Sequence, residues 1–159
     1  MAALNFESNL LGAAGIGAGS FALLTEFPDG GPVFPAPAPF DPTVSNFIVQ
    51  TDQKLRVNLT WETIGALWLV ITGKWFCNVY LEEMGAGEYA GGPFSANVNV
   101  VNAFNHKYQL DVNIPANVIP AGLYRIVVAV TIKGGNPAVT PLPIAAFSDI
   151  GIVQVFEAA

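Results

Sequence analysis

Between residues 122 and 133 the chain alternates with a period of two. Tyr124, Ile126, Val128, Val130 and Ile132 fall on one face of an extended strand, and Leu123, Arg125, Val127, Ala129, Thr131 and Lys133 on the other. Pro120-Ala121-Gly122 makes a corner before it, and Gly134-Gly135-Asn136-Pro137 stops it. The same alternation recurs on either side. Leu55, Val57, Leu59 and Trp61 predict the inner face of one strand, and Trp75, Cys77, Val79 and Leu81 that of the next. Phe94, Ala96, Val98 and Val100, then Tyr108, Leu110, Val112 and Ile114, predict two more. A short first strand at 46–51 and a last one at 147–156 complete the set.

Three stretches lack this alternation. Residues 64–72 are almost continuously apolar, which fits a strand covered on both faces or a sticky exposed connection. Residues 84–93 are glycine-rich but lack the Lys-Ser/Thr of a phosphate-binding loop. Residues 137–146 read as a proline-rich loop. With seven to eight strands and no helical period of useful length, residues 43–159 predict an all-β, antiparallel sandwich domain.

Residues 1–27 read as an apolar, strand-like N-terminal arm. Leu4, Phe6 and Leu10 alternate with polar residues, and Phe21, Leu23 and Phe27 mark a second short strand. The glycines between them suit a bend or a close backbone approach. Residues 28–42 are a proline-rich spacer whose composition favours polyproline II, a reach of roughly 45 Å, with Phe34 and Phe40 as apolar anchors. The spacer is thus long enough to carry the arm beyond its own domain.

Composition sharpens this picture. Hydrophobic residues make up 52% of the chain and charged residues only 11%, against about 25% charged in ordinary soluble domains. A small sandwich cannot hide that much apolar surface alone, so part of it is expected to be buried against other chains. The net charge is −6 and the six basic residues form no run, which excludes a nucleic-acid footprint. The uncharged window 8–25 touches the lower length limit of a membrane span, but its glycines and missing basic flanks argue against one. Without a basic n-region the N-terminus does not read as a secretory signal. The expectation is synthesis in the cytoplasm, with an extracellular or virion-type assembly as one destination.

Ile119-Pro120-Ala121-Gly122-Leu123-Tyr124-Arg125-Ile126-Val127 resembles the corner leading into the sixth strand of immunoglobulin-like and fibronectin-III-like modules, and Trp75 resembles their core tryptophan. The resemblance implies an Ig-like sandwich whose Tyr124 hydroxyl bonds back to the corner backbone. The inter-sheet disulfide is absent, because Cys77 is alone.

No catalytic constellation emerges. His106 is the one histidine and no G-x-S-x-G accompanies it, and Glu82 and Glu83 point to opposite faces of a strand. No loop supplies a metal-ligand cluster, so no metal or cofactor is expected. Trp61 and Trp75 sit in phase with core residues, whereas Trp68 lies in the run without parity and is the candidate exposed aromatic.

The leading expectation is a structural subunit that assembles with copies of itself as a filament, shell or virion-type particle. Its arm would dock on neighbours by strand addition. The alternative is a module binding carbohydrate or protein through Trp68 and the 84–93 and 134–146 loops. A membrane-active protein using residues 8–25 comes third, and an enzyme last.

Overall fold

The computed structural model describes residues 2–8, 15–17, 20–27 and 48–157, with the backbone alone at residues 8, 23 and 25–27. The spacer 28–42, its anchors Phe34 and Phe40, and Leu10 of the arm lie outside the described residues. What is described is all-β: two mostly antiparallel sheets packed face to face.

Four short strands come from the N-terminal stretch: β1 (Ala2–Ala3), β2 (Asn5–Ser8), β3 (Gly15–Ile16) and β4 (Phe21–Phe27). The domain proper contributes β5 (Ile48–Gln50), β6 (Lys54–Ile64), β7 (Gly73–Glu83), β8 (Gly87–Glu88), β9 (Phe94–Asn99), β10 (Asn105–Ile114), β11 (Gly122–Gly134) and β12 (Thr140–Phe156). The first sheet runs β1-β4-β6-β10, with β3 also on β6. The second runs β2-β12-β11-β7-β8, with β9 on β7 and β5 on β12. The β5–β12 pairing is parallel.

The alternation read from the chain decides which side chains face inward. On β6, Leu55, Val57, Leu59 and Trp61 are buried, on β7 Trp75, Cys77, Val79 and Leu81, and on β11 Tyr124 through Ile132 at every second position. At the centre the aromatic rings of both sheets meet. Trp75 lies 5.6 Å from Trp61, 5.6 Å from Trp68 and 5.9 Å from Tyr108, and Trp61 stacks on Tyr108 at 5.0 Å. Such pairs contribute about 0.5–1.5 kcal/mol each beyond the area they bury. The corner bond implied by the resemblance is present: Tyr124 Oη donates to the Pro120 carbonyl at 3.1 Å.

Two expectations need correction. The stretch 137–146 is not a loop throughout, because β12 begins at Thr140 and pairs with β11 from there. Proline is tolerated at Pro141 and Pro143 because the register with β11 is irregular there and the pairing with β2 starts only at Ile144. A second irregularity leaves Ile150 unpaired, and the inward set switches from Ile144, Ala146 and Ser148 to Val153 and Val155.

Trp68 is not exposed. The apolar run forms a single 3-10 turn, Ala66–Leu69, that drives Trp68 into the core with no accessible surface. The outward positions are Leu69 and Val70. Asn102 holds the turn, its Nδ2 donating to the carbonyls of Trp68, Leu69 and Ile71.

Candidate functional site

The arm residues occupy sheet edges of this same chain. β4 lies along β6 from Phe21 opposite Thr60 to Phe27 opposite Lys54. Because Ala22 pairs with Leu59 and Leu24 with Val57, both inward-facing on β6, Ala22 and Leu24 enter the core. Phe21 is half-buried, and Leu23 and Phe27 are described by their pairing alone.

The first residues then cross between the sheets. Ala2 and Ala3 pair with β4, the Leu4 amide donates to the Ser20 carbonyl at 3.1 Å, and Asn5–Ser8 pairs with β12. One extended segment therefore closes that side of the sandwich. Leu4 is buried, and Phe6 meets Trp75 edge to face at 6.2 Å. Burying one leucine side chain contributes about 1.5–3 kcal/mol.

The glycine stretch adds a close approach of backbones. Gly17 donates its amide to the Glu62 carbonyl at 2.8 Å, and a Cβ there would lie 2.8 Å from Glu62 Oε2 and 3.0 Å from its Cβ. The Gly15 carbonyl accepts the Trp68 indole N–H at 3.2 Å. The arm thus completes both sheets and supplies two partners, Phe6 and Gly15, to the central tryptophans.

The two outer faces differ in kind. On the first sheet, Asp111 accepts from Arg56 at 3.2 Å and from Asn58 at 2.6 Å, and Thr60, Gln109, Glu62 and Lys107 extend the polar surface. On the second sheet Phe76, Tyr80, Val127, Ala129 and Phe147 fall on the outward phase of adjacent strands. Phe147 is half-exposed, and Lys133 Nζ sits 4.9 Å over the Phe76 ring. Arg125 flanks this apolar band, donating to Asp149 at 2.8 and 3.0 Å and to Glu82 at 3.5 Å. The Asp149 hydrogen bond and charge, then Glu82, hold its pKa above the usual value. At such exposed sites ion pairs add little stability.

One open cleft of about 630 Å³ lies where β7, β9 and the turn after β11 meet, lined among others by Lys74, Phe76, Asn97, Asn99, Asn102 and Asn136. It is amide-rich with one aromatic wall. Glu82 and Asp111 lie on the outer faces of different sheets, and His106 packs against Tyr108 at 4.6 Å. Burial pushes the Cys77 thiol up to about 12, so it stays a neutral, inert thiol at physiological pH. Among the described residues no group of three or more His, Cys, Asp or Glu side chains comes together, and no helix is long and apolar enough to cross a membrane.

Sequence reasoning missed Ala22, Leu24 and Asn102. Both faces of β4 are apolar, so parity alone cannot say which one is inward, and nothing in the sequence around Asn102 announces a capping role. No protein-family model matches the chain, and no curated protein sequence matches it either.

Proposed function

We propose that this chain is a structural, self-assembling subunit of Ig-like architecture whose N-terminal arm is exchanged between copies by strand addition. One observation carries the reading: the arm fills edge positions on both sheets and caps the aromatic core, yet the chain between it and the domain is proline-rich. A surface that accepts the arm of its own chain accepts the identical arm of another copy with the same contacts. Which one wins depends on the effective concentration that the connecting segment imposes. Proline-rich composition favours extended backbone over a tight return, and the apolar band around Phe147 on the outer face of the second sheet supplies further area for packing between copies. The β12-β11-β7 order opposite β6-β10, together with the Tyr124 corner, supports the Ig-like reading.

Glu7 and Ala145 are register partners on β2 and β12, so cysteines at these positions report where each arm sits. Glu7→Cys and Ala145→Cys, made as separate single variants, are mixed in denaturant, refolded together and oxidised. The expected result is a disulfide between the two chains and an oligomeric mass by light scattering. A monomeric mass, with no disulfide between mixed variants while the double variant closes its own within one chain, ends the reading.

A second reading, a carbohydrate-binding module, has the amide-lined cleft in its favour. Asn97, Asn99 and Asn136 each offer a donor and an acceptor beside the Phe76 ring, and a cleft of about this size accommodates a small ligand. Saturable binding on a glycan array that is lost on Asn99→Ala is the outcome this reading requires. Binding unaltered by that substitution, or none at all, removes the cleft from consideration.

A further inference from the structure

The two sides of the sandwich are closed differently. At the β1–β2 side the arm bridges the sheets, but at the far end of the first sheet β10 pairs with β6 and with nothing beyond it among the described strands. The preceding strand, β9, belongs to the other sheet through β7; it runs close beside β10 but makes no ladder with it. From Asn105 to Ile114 the register against β6 is unbroken. The strand carries no proline and no bulge, two of the devices that spoil an edge for pairing, and its charges, Lys107 and Asp111, are of opposite sign.

We propose that this edge is an isologous dimer interface, in which β10 pairs antiparallel with β10 of a second copy about a twofold axis at Gln109. The side chains select that register. With Gln109 opposite its own equivalent, Lys107 faces the second copy's Asp111 and Asp111 faces its Lys107, so the attraction occurs twice. Asn105 meets the second copy's Asn113, a match of amides. Registers centred on Lys107 or on Asp111 would stack like charges, which is destabilising. Those centred on Tyr108 or Leu110 oppose neither pair.

The side chains are also prepared for the contact. Asp111 is held on the outer face by Arg56 and Asn58. Lys107 is exposed and lies opposite Glu62 on β6. Pairing would produce a row of alternating charge, Glu62, Lys107 and the second copy's Asp111, across one continuous sheet. Tyr108, Leu110, Val112 and Ile114 keep to the inner phase together with His106, and neither Lys107 nor Asp111 falls there.

This interface uses the edge of β6–β10 away from the arm, so it stands whether or not arms are exchanged. Opposed residues of an antiparallel pair have Cα atoms about 4.5–5.5 Å apart, within the window for a disulfide. In the full chain, Gln109→Cys is therefore expected to oxidise readily to a disulfide-linked dimer. Asn113→Cys alone, facing an asparagine, does not, whereas a mixture of Asn105→Cys and Asn113→Cys does. The native thiol, Cys77, is buried and leaves the background clean.

Lys107→Glu places two like-charge pairs in the interface and weakens dimerisation, by sedimentation, about tenfold or more. Equal cross-linking at 109 and 113, a monomer at all concentrations, or a dimer unaffected by Lys107→Glu overturns the proposal. If chains of mixed Glu7→Cys and Ala145→Cys variants still link in that case, arm exchange survives without it.

Discussion

Trp75→Ala is expected to lower the free energy of unfolding by about 3–5 kcal/mol, the cost of truncating a large buried aromatic. Trp75 is fully buried and meets rings from three separate parts of the molecule. Trp61 and Tyr108 come from the first sheet, Trp68 from the 3-10 turn and Phe6 from the arm. Its indole N–H, like that of Trp61, has no hydrogen-bond partner among the described residues. The loss on truncation is therefore one of packing, with no polar bond broken.

Two readouts follow from that. With a urea m-value of about 1–3 kcal/mol/M, the unfolding midpoint falls by about 2 M. Trp75→Phe keeps much of the ring volume and removes the unpartnered N–H, so it is expected to cost clearly less than alanine. A Trp75→Ala shift of under about 1 kcal/mol would mean that the aromatic cluster is not the centre of the fold.

Gly73→Ala has the second large expected effect, and for a different reason. Gly73 opens β7 at a φ of +144°, and a Cβ there would lie 2.1 Å from the Lys133 carbonyl oxygen and 2.8 Å from Gly134 Cα. Both obstacles are backbone, and neither can swing aside. The same residue accepts the Val100 amide at 2.9 Å through its carbonyl, so a shift of the strand start also disturbs β9. Conformational strain of about 1–3 kcal/mol adds to about 1–3 kcal/mol of overpacking, for a total of roughly 4 kcal/mol.

Gly85 makes the comparison sharp. It also has a positive φ, +94°, but a Cβ there meets nothing within 4 Å. Gly85→Ala is expected to cost only the conformational part, about 1–2 kcal/mol. Thermal or chemical denaturation of the two variants side by side separates space from conformation. Equal costs would show that the close approach at Gly73 relaxes freely.

Much of this architecture was legible in advance, and the legible part has a common cause. In β6, β7, β9, β10 and β11 one phase is apolar and the other carries Arg56, Asn58, Lys74, Asn78, Ser95, Asn97, Lys107, Gln109 or Arg125. A period of two with contrast between phases names the inner face outright. Where contrast vanishes, so does the signal. In β4 Phe21 and Leu23 oppose Ala22 and Leu24, and only the pairing with Val57 and Leu59 turns the second pair inward. In 64–72 every position is apolar or small, and only the 3-10 turn separates buried Trp68 from exposed Val70. The prolines of β12 marked a loop to any reader of composition, because tolerance of proline depends on which neighbour lies alongside.

The order of residues by itself determined an all-β chain, the inward side chains of β6, β7, β10 and β11, and the shortage of charge, while the corner at Tyr124 was implied by resemblance. The inward faces are a local property, set by alternation along a single strand. Tertiary structure alone decided that the arm lies on both sheets, that Trp68 faces inward beside Gly15, that Phe76, Val127 and Phe147 come together on one outer face, and that β10 has a ladder on one side only among the described strands. Each of those depends on which distant segment comes alongside, and pairing between strands is a relation that no single stretch of sequence contains.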